Sequence, residues 1–359
     1  MSYYHRYRGG RGRRRARLRI VLLALALVIL CAIAALFFLQ DGAIFTADGF
    51  HFSFGKKDDP APSGEDSDPA DLPDIPLEIE DPSGTNTGDS TGTDAEPQTP
   101  TAPLRALLFS GADLLTGDDL SSAAESAHCT ALAFQVKGPD GLSLVDDGAQ
   151  NGVSDQAEAF SQALSSLDGK KAAVLSALRD DVRPRALYRA SALHTQSGAT
   201  WLDREYIAWF DPMGRDTLSS LTAQIEACRA AGFTQVVLEN FSFPTAGKLE
   251  LIDYSDTLSR PAALTALAQA LRESCPDVSL GMILTEAAAE NFLDGTSGQD
   301  VAELAQYFDV LYVPAADFSA DLSALDNAAE GTGCRIGLYV TGISAAPAEL
   351  DRPFLLAAD

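Results

Sequence analysis

The sequence predicts an α/β protein whose main domain, residues 104–359, is a (β/α)8 TIM-like barrel. The first observation is that eight short apolar segments alternate with amphipathic segments rich in Ala and Leu. This order is typical of parallel strands that are linked by helices. The second observation is length, because about 256 residues are the size of one such barrel. A doubly wound sheet is the alternative, but it rarely needs eight strands.

Apolar runs locate the strands, and segments with helical spacing lie between them. We expect strands at residues 105–110, 131–137, 171–178, 234–241, 278–284, 309–313, 335–340 and 354–357. We expect helices at residues 118–128, 154–167, 216–231, 260–274, 300–308 and 319–329. Ser154 and Asp216 are suitable N-caps for two of them, and Gly232 is suited to end the second. A helix after the last strand is not expected, because the sequence ends at Asp359.

The longest departure from this alternation is the segment of residues 179–215. It is too long for a simple connection, and long loops on a barrel usually belong to its active face. Active sites of such barrels lie at the C-terminal ends of the strands. We therefore expect functional side chains in this segment and directly after the strands.

The first 39 residues indicate a membrane anchor. Residues 1–19 contain eight arginines and no acid, and residues 20–39 are an unbroken apolar run. A run of this length is enough to cross a hydrocarbon core as a helix, and the arginines favour a cytoplasmic N-terminus. We predict a basic cytoplasmic tail at 1–19 and a transmembrane signal-anchor helix at 20–39. A cleavable signal peptide is the alternative, although its apolar part is usually shorter and followed by small residues.

Two further segments precede the barrel. Residues 40–57 alternate weakly between apolar and polar, which indicates a short juxtamembrane hairpin. Residues 58–103 are rich in Pro, Gly, Ser, Thr and acid, with 13 Asp and Glu between Asp58 and Glu96. Such a segment buries too little apolar surface to offset its chain entropy, so we expect a disordered acidic stalk. The barrel is then expected outside the cell, attached to the membrane through residues 20–39.

Charge and cysteine content exclude several functions. Beyond residue 19, the remaining 18 Lys and Arg (26 minus 8) stand against 51 Asp and Glu, so no basic surface is expected for a nucleic acid. Outside the apolar run, the cysteines are widely spaced and form no C-x-x-C pair, which argues against a zinc site. A disulfide between Cys228 and Cys275 is one option. The other is that these two, Cys129 and Cys334 are all unpaired apolar side chains.

Acidic residues at or after the predicted strands are candidates for catalysis. They are Asp113, Asp140, Asp180, Glu239, Glu286, Asp317 and Asp359. Glycoside hydrolysis uses a pair of carboxyl groups, of which one is protonated and the other ionised. An Asp that directly follows a strand is more often a turn or a helix cap, and we assign Asp113, Asp140 and Asp359 to that role.

Glu239 differs from the other acids because it lies inside a strand pattern. Alternation puts it on the same face as Val237 and Phe241. A carboxylate on a buried strand is costly unless it is paired or hydrated, which indicates a pocket. Glu286 follows the strand 278–284 in a similar way and is the next candidate.

The two tryptophans, Trp201 and Trp209, lie in the long segment beside Asp203 and Asp211. Flat rings stack on sugar faces, and rings at this spacing equally anchor a loop to a core, so both roles stay open. No Ser-His-Asp arrangement, P-loop or Gly-rich dinucleotide turn occurs in a suitable context. We expect neither a cofactor nor a metal.

Three motifs follow one another in the first half of the predicted barrel. The second strand ends in QVKGPDG (135–141), the long segment contains WLD (201–203) and WFDP (209–212), and the fourth strand ends in LENFSFP (238–244). In this order they resemble a bacterial family of glycoside-hydrolase-like barrel domains of unknown function. That family has Asp-Val-Lys, then Trp-x-Asp and Trp-x-x-Pro, then Phe-Asp-Tyr-aliphatic-Arg-Phe-Pro. The resemblance implies the barrel fold, often behind a membrane anchor and a spacer.

This sequence departs from the family pattern at three places. Gln135 stands where the family has a carboxylate, Ser242 stands where it has an arginine, and Pro-Met-x-Tyr-Pro is reduced to Val313-Pro314. Glu239 keeps the place of the family's acid. Each departure removes a polar group from the expected active face.

Two functions follow as hypotheses. The first is a membrane-anchored, extracellular glycoside hydrolase that acts on envelope or environmental polysaccharide, with Glu239 as nucleophile or base and Glu286 or Asp317 as its partner. The alternative is a degenerate barrel that binds glycan or an envelope protein without hydrolysis. In either case the expected substrate-binding residues are Lys137, Asn240, Trp201, Asp203 and Trp209.

Overall fold

The structure is a computed structural model that describes residues 43–46, 49–52, 103–187, 190–254 and 258–358. The predicted tail (1–19), transmembrane helix (20–39) and nearly all of the predicted stalk (58–103) lie outside these residues. Among the described residues, no helix combines the length and the apolar character that crossing a membrane requires. The predicted hairpin is confirmed in its backbone, because β1 (Ala43–Thr46) and β2 (Gly49–Phe52) pair antiparallel.

Eight parallel strands close into a barrel, which confirms the predicted fold class. In chain order they are β3 (Arg105–Ser110), β4 (Ala131–Lys137), β5 (Lys171–Ser176), β6 (Gln235–Glu239), β7 (Ser279–Ile283), β10 (Val310–Ala315), β11 (Arg335–Val340) and β12 (Phe354–Ala357). The last strand pairs with the first, from Phe354 beside Arg105 to Ala357 beside Leu108. All eight predicted strands are present, with their ends shifted by a few residues.

The helices pack around the outside of the barrel. They are α1 (Leu120–Ser126), α2 (Ala157–Ser165), α3 (Arg183–Leu187), α4 (Thr217–Ala230), α5 (Arg260–Ser274), α6 (Glu286–Asn291), α7 (Val301–Leu304) and α8 (Ser323–Ala328). Each predicted helix is present, although the one predicted at 300–308 is confined to α7. The short helices α3 and α6 were not predicted. A two-stranded ribbon of β8 (Leu293–Asp294) and β9 (Gln299–Asp300) follows α6.

The inside of the barrel is filled by an interior cluster of buried side chains that includes Val174, Val237, Leu355 and Tyr312, and the tyrosine lies between two glycines. Tyr312 is fully buried, and a Cβ added to Gly337 or Gly281 would lie 2.9 or 3.0 Å from its ring. The Tyr312 hydroxyl donates a 2.8 Å hydrogen bond to Oε1 of Gln235. Because the ring occupies the barrel axis, the two ends of the barrel are separate surfaces.

The larger core lies between the strands and the helices. The outward-facing side chain of Phe134 on β4 packs against Phe160 of α2, with ring centroids 6.0 Å apart and the rings nearly perpendicular. Leu221 and Ile225 of α4 are fully buried in the same cluster. Burial of these aromatic and aliphatic side chains holds the helices against the strands.

The cysteines follow the second of the two options considered for them. Cys129, Cys228, Cys275 and Cys334 are all unpaired, and the first three are buried. Burial raises the pKa of the Cys129 thiol to about 11 and that of Cys228 to about 12. These side chains therefore act as small apolar groups of the core.

Candidate active site

Glu239 is the last residue of β6 and faces the inside of the barrel at its C-terminal mouth. Val237, two residues earlier, belongs to the interior cluster, so alternation gives Glu239 the same face. Its Oε2 accepts a 3.2 Å hydrogen bond from Nε2 of Gln135 on β4, across the intervening strand β5. The side chain is half-buried. Glu239 therefore does not belong to the helix-facing core, and its place in a pocket stays a prediction.

The strand alternation ends directly after Glu239. Asn240 has a φ of 53°, a left-handed conformation that Asn adopts more readily than most residues. The chain therefore turns, and Phe241 packs outward with Phe308, with ring centroids 5.5 Å apart. The expectation that Phe241 shares a face with Glu239 is wrong for this reason. Asn240 Nδ2 donates a 3.0 Å hydrogen bond to Oγ of Ser176, which ties the ends of β5 and β6 together.

The environment of Glu239 favours its protonated form. Burial raises the pKa of its carboxyl group, and the hydrogen bond from Gln135 and the positive charge of Arg179 only partly oppose that effect. Gln135 and Arg179 lower this pKa because both stabilise the charged carboxylate. The carboxyl group is thus harder to ionise than an exposed glutamate, and its charged form is stabilised by these two groups.

Arg179 links this carboxyl group to the long loop, and sequence reasoning did not identify it. It follows β5, where its carbonyl oxygen accepts a 2.7 Å hydrogen bond from Oγ of Ser176. Its guanidinium donates from Nε to Oδ2 of Asp203 and from Nη2 to Oε2 of Glu205, each at 2.7 Å. One arginine therefore positions two carboxylates of the loop beside the mouth.

Asp203 is held in its ionised form by these contacts. Burial favours protonation, but the hydrogen bonds from Arg179, the Ile207 backbone and Trp209 outweigh it and bring the pKa below its usual range. Glu239 and Asp203, both neighbours of Arg179, thus have pKa values shifted in opposite directions. Pairs of this kind are typical of sites that divide acid and base roles.

An open cleft of about 660 Å³ lies beside these residues. Gln135 and Arg179, the two neighbours of Glu239, form part of its wall, and Glu205 and Asp140 line it as well. The Glu205 carboxylate is 70% exposed. Asp140 accepts a hydrogen bond from the backbone of Leu142, the turn role expected for it. The cleft is large enough for a small ligand and is lined by polar side chains.

A second groove of about 610 Å³ opens on the other side of the mouth. Glu286 lines it together with Tyr339 of β11 and Pro314 of β10. Burial raises the pKa of the Tyr339 hydroxyl, and the negative charge of Glu239 adds to the effect. Glu286 itself is exposed in the first turn of α6.

Asp317 is exposed in a turn after β10. Its Oδ1 accepts hydrogen bonds from the hydroxyl and the backbone amide of Ser319, and these lower the pKa of Asp317. The carboxylate therefore accepts its hydrogen bonds from within its own turn. Its role as a catalytic partner stays a prediction, and it has no contact that joins it to Glu239 among the described residues.

Lys137 lies beneath the loops. Its Nζ is 3.0 Å from Oδ2 of Asp180, and both side chains are 0% exposed. Asp180 also accepts from the backbone amides of Val182 and Arg183, which start α3. A β-bulge between Gln135 and Lys137 shifts the register with β5 at this point. A fully enclosed ammonium group offers no surface to a sugar, so its predicted role in orienting substrate has no support in these contacts.

Both tryptophans anchor the long loop. Trp201 is 2% exposed and its Nε1 donates to the Lys248 carbonyl oxygen at 3.0 Å, while Trp209 is 7% exposed and donates to Oδ2 of Asp203 at 3.1 Å. Of the two roles that the sequence left open, these contacts favour the anchor. Trp209 also fixes Asp203 for its bond to Arg179.

The comparisons with known proteins give likenesses of fold. No family model matches the chain, and no curated protein matches it in sequence. A solved structure of a hypothetical protein from Ruminiclostridium thermocellum is 16% identical with a TM-score of 0.42, covering 49% of this chain and 96% of that one. The glycoside hydrolase domain of PelA from Pseudomonas aeruginosa is 13% identical with a TM-score of 0.38, covering 67% and 85%.

An α-galactosidase from Lactobacillus brevis is 11% identical with a TM-score of 0.42, covering 72% of this chain and 38% of that one. Glycoside hydrolases are thus among the solved structures that this chain resembles at low identity. At these TM-scores the barrel itself is established by the strand pairing and not by the likenesses.

Proposed function

We propose that the barrel is a glycoside hydrolase and that Glu239 is its general acid. The observation that carries the proposal is a half-buried carboxyl group at the C-terminal mouth whose pKa is raised by burial and whose charged form has two neighbours, Gln135 and Arg179. Donation of a proton to a leaving-group oxygen requires a carboxyl group with these properties. The sequence resemblance supports a sugar as the substrate class.

The chemistry divides between two carboxyl groups. Glu239 transfers its proton to the glycosidic oxygen as the bond to the anomeric carbon breaks, and the new carboxylate is stabilised by the Gln135 amide and the Arg179 charge. Glu205 lines the cleft beside Glu239, pairs with Arg179, and accepts a proton from the attacking water. This assignment changes the partner expected from sequence, because Glu286 lines the other groove and Asp317 is engaged in a turn.

In this proposal the reaction takes place outside the cell. An apolar run at 20–39 behind eight arginines supports a single-pass anchor with a cytoplasmic N-terminus. The substrate would then be envelope or environmental polysaccharide. Protease added to intact cells should cleave the barrel from the membrane fraction; full-length protein recovered in the soluble fraction without detergent would contradict the anchor.

The test is a hydrolysis screen with the full-length chain. Wild type, Glu239→Gln and Glu205→Gln are incubated with a polysaccharide panel, and new reducing ends are measured. Each substitution should lower the rate by at least roughly a hundredfold, the usual contribution of a general acid or base. Glu273→Gln, an exposed position on α5, is the matched control and should keep wild-type activity.

Binding of glycan without hydrolysis is the second candidate. It is favoured by one observation, that Gln135, which stands where the family has a carboxylate, is a hydrogen-bond donor to Glu239 and adds no second acid at this point. A wild-type protein that binds a panel member and releases no reducing ends would support this function over the first.

A further inference from the structure

The opposite, N-terminal end of the barrel has an opening of its own. It measures about 650 Å³ and is lined by the first residues of several strands, among them Gln235, Ser279 and Arg335. Nothing in the proposed hydrolase chemistry uses this end, because Glu239 and its neighbours lie at the other mouth.

The opening has a closed floor. Tyr312 fills the barrel axis between Gly281 and Gly337, and its hydroxyl donates to Oε1 of Gln235 at 2.8 Å. The Gln235 amide in turn donates to Oγ of Ser279 at 3.3 Å. The Ser279 hydroxyl therefore accepts one hydrogen bond and keeps its own proton available to a ligand.

Two cations at this opening have no partner within the described part of the chain. Arg335 begins β11 and, by alternation with Gly337 and Tyr339, faces the inside of the barrel; its charge acts on the Tyr312 hydroxyl. Lys170 stands exposed on the rim. Neither side chain forms a hydrogen bond or an ion pair with a described residue.

The third cation that lines this opening, Arg272, already has hydrogen-bond partners. Arg272 donates to the carbonyl oxygens of Tyr307 and Val278 and pairs with Oδ2 of Asp309 at 3.0 Å. That pair is neutral as a unit. The other acid that lines the opening, Asp277, is exposed, which leaves two unpaired cations against one carboxylate in a chain of net charge −25.

We propose that this opening binds a small, multiply charged anion of the phosphate type. The guanidinium of Arg335 offers paired donors that match the oxygens of a phosphate, Lys170 adds a second positive charge from the rim, and the Ser279 hydroxyl donates from the wall. The bound group would rest against the Tyr312–Gln235 floor and bridge β7 and β11. The site is independent of the reaction at Glu239.

The test uses the full-length chain and inorganic phosphate. Binding is measured by titration calorimetry and by the shift in Tm, each against sodium chloride at the same ionic strength, because a ligand bound only by the folded state raises Tm. Arg335→Gln and Lys170→Gln remove the two cations one at a time. Arg215→Gln removes an exposed arginine that precedes α4, at the other end of the barrel, and is the matched control.

We expect saturable phosphate binding by the wild type, binding weaker by about tenfold or more in Arg335→Gln and Lys170→Gln, and no change in Arg215→Gln. Lys170 is exposed, so its substitution tests the site even where Arg335→Gln fails to fold. Wild-type protein that responds to phosphate and chloride alike would overturn the proposal. Equal losses in all three variants would do the same, since they would reflect net charge alone.

Discussion

The amide of Gln135 and the carboxyl group of Glu239 meet at 3.2 Å across the mouth of the barrel, although 104 residues separate them in the chain. The closed sheet makes this possible, because β4 and β6 flank β5 and present their last inward-facing residues to the same space. The amide stabilises the ionised form of a carboxyl group whose pKa burial raises. Four predictions follow from this pair and from the loop beside it.

The first prediction concerns stability as a function of pH. The pKa of Glu239 is higher in the folded than in the unfolded chain, so its contribution is fully present below the unfolded pKa and is lost as pH rises through the folded pKa. Glu239→Gln cannot ionise and does not lose it. The free energy of unfolding of this variant, relative to wild type, should therefore increase as pH rises above about 4, the ordinary pKa range of glutamate, in urea titrations.

Glu273→Gln, on an exposed face of α5, controls for the loss of one negative charge. A difference between Glu239→Gln and wild type that stays constant with pH, or that falls as pH rises, would show that burial does not raise the pKa of Glu239.

The second prediction concerns the buried pair beneath the loops. Lys137→Met leaves the Asp180 carboxylate buried and unpaired, which should lower the free energy of unfolding by roughly 3–5 kcal/mol. In Lys137→Met/Asp180→Asn, the amide oxygen still accepts from the amides of Val182 and Arg183, and neither side chain of the pair carries a charge. Chemical denaturation should show much of the loss recovered in the double variant; a double variant as unstable as Lys137→Met would contradict the pairing.

The third prediction concerns Arg179. Arg179→Gln removes the hydrogen bonds to Asp203 and Glu205 and should cost about 2 kcal/mol of stability. Amide hydrogen exchange should quicken at residues 203–209, because that loop loses its link to β5. Arg229→Gln breaks an exposed ion pair with Glu226 on α4, away from this loop, and is the control, in which exchange at residues 203–209 should stay unchanged. Unchanged exchange in the loop of Arg179→Gln would count against its positioning role.

The fourth prediction separates the two roles considered for Trp201 and Trp209. As anchors at 2% and 7% exposure, they should give blue-shifted fluorescence that iodide quenches weakly. These are the only two tryptophans in the chain, so all of the tryptophan fluorescence comes from these two side chains. Strong quenching by iodide that a bound glycan relieves would instead indicate rings that stack on sugar.

Local patterns predicted the barrel well, since each strand is an apolar run that is continuous in sequence. The short helices α3 and α6 escaped prediction because five or six residues are too few to show helical periodicity. Phe241 was assigned to the wrong face because alternation fails where Asn240 adopts a left-handed backbone.

The candidate site was predictable at Glu239, whose charge interrupts an apolar strand, and at Asp203, which lies in the long segment beside Trp201. Arg179, Glu205 and Tyr339 belong to it through contacts that fold geometry creates, and no spacing in the sequence reveals them. Lys137 is a residue that the sequence assigned to the site but that the structure encloses. Its position at a strand end is typical of a site residue, yet a β-bulge and a partner 43 residues away keep it inside the protein.

The most direct test of the central claim is the titration of the Glu239 carboxyl group itself. Carbon-13 NMR of the full-length chain labelled at glutamate side-chain carboxyls reports each midpoint, and the resonance that disappears in Glu239→Gln is the one required. The account predicts a midpoint above that of a glutamate in an unstructured peptide. A midpoint at or below that value would contradict Glu239 as a general acid.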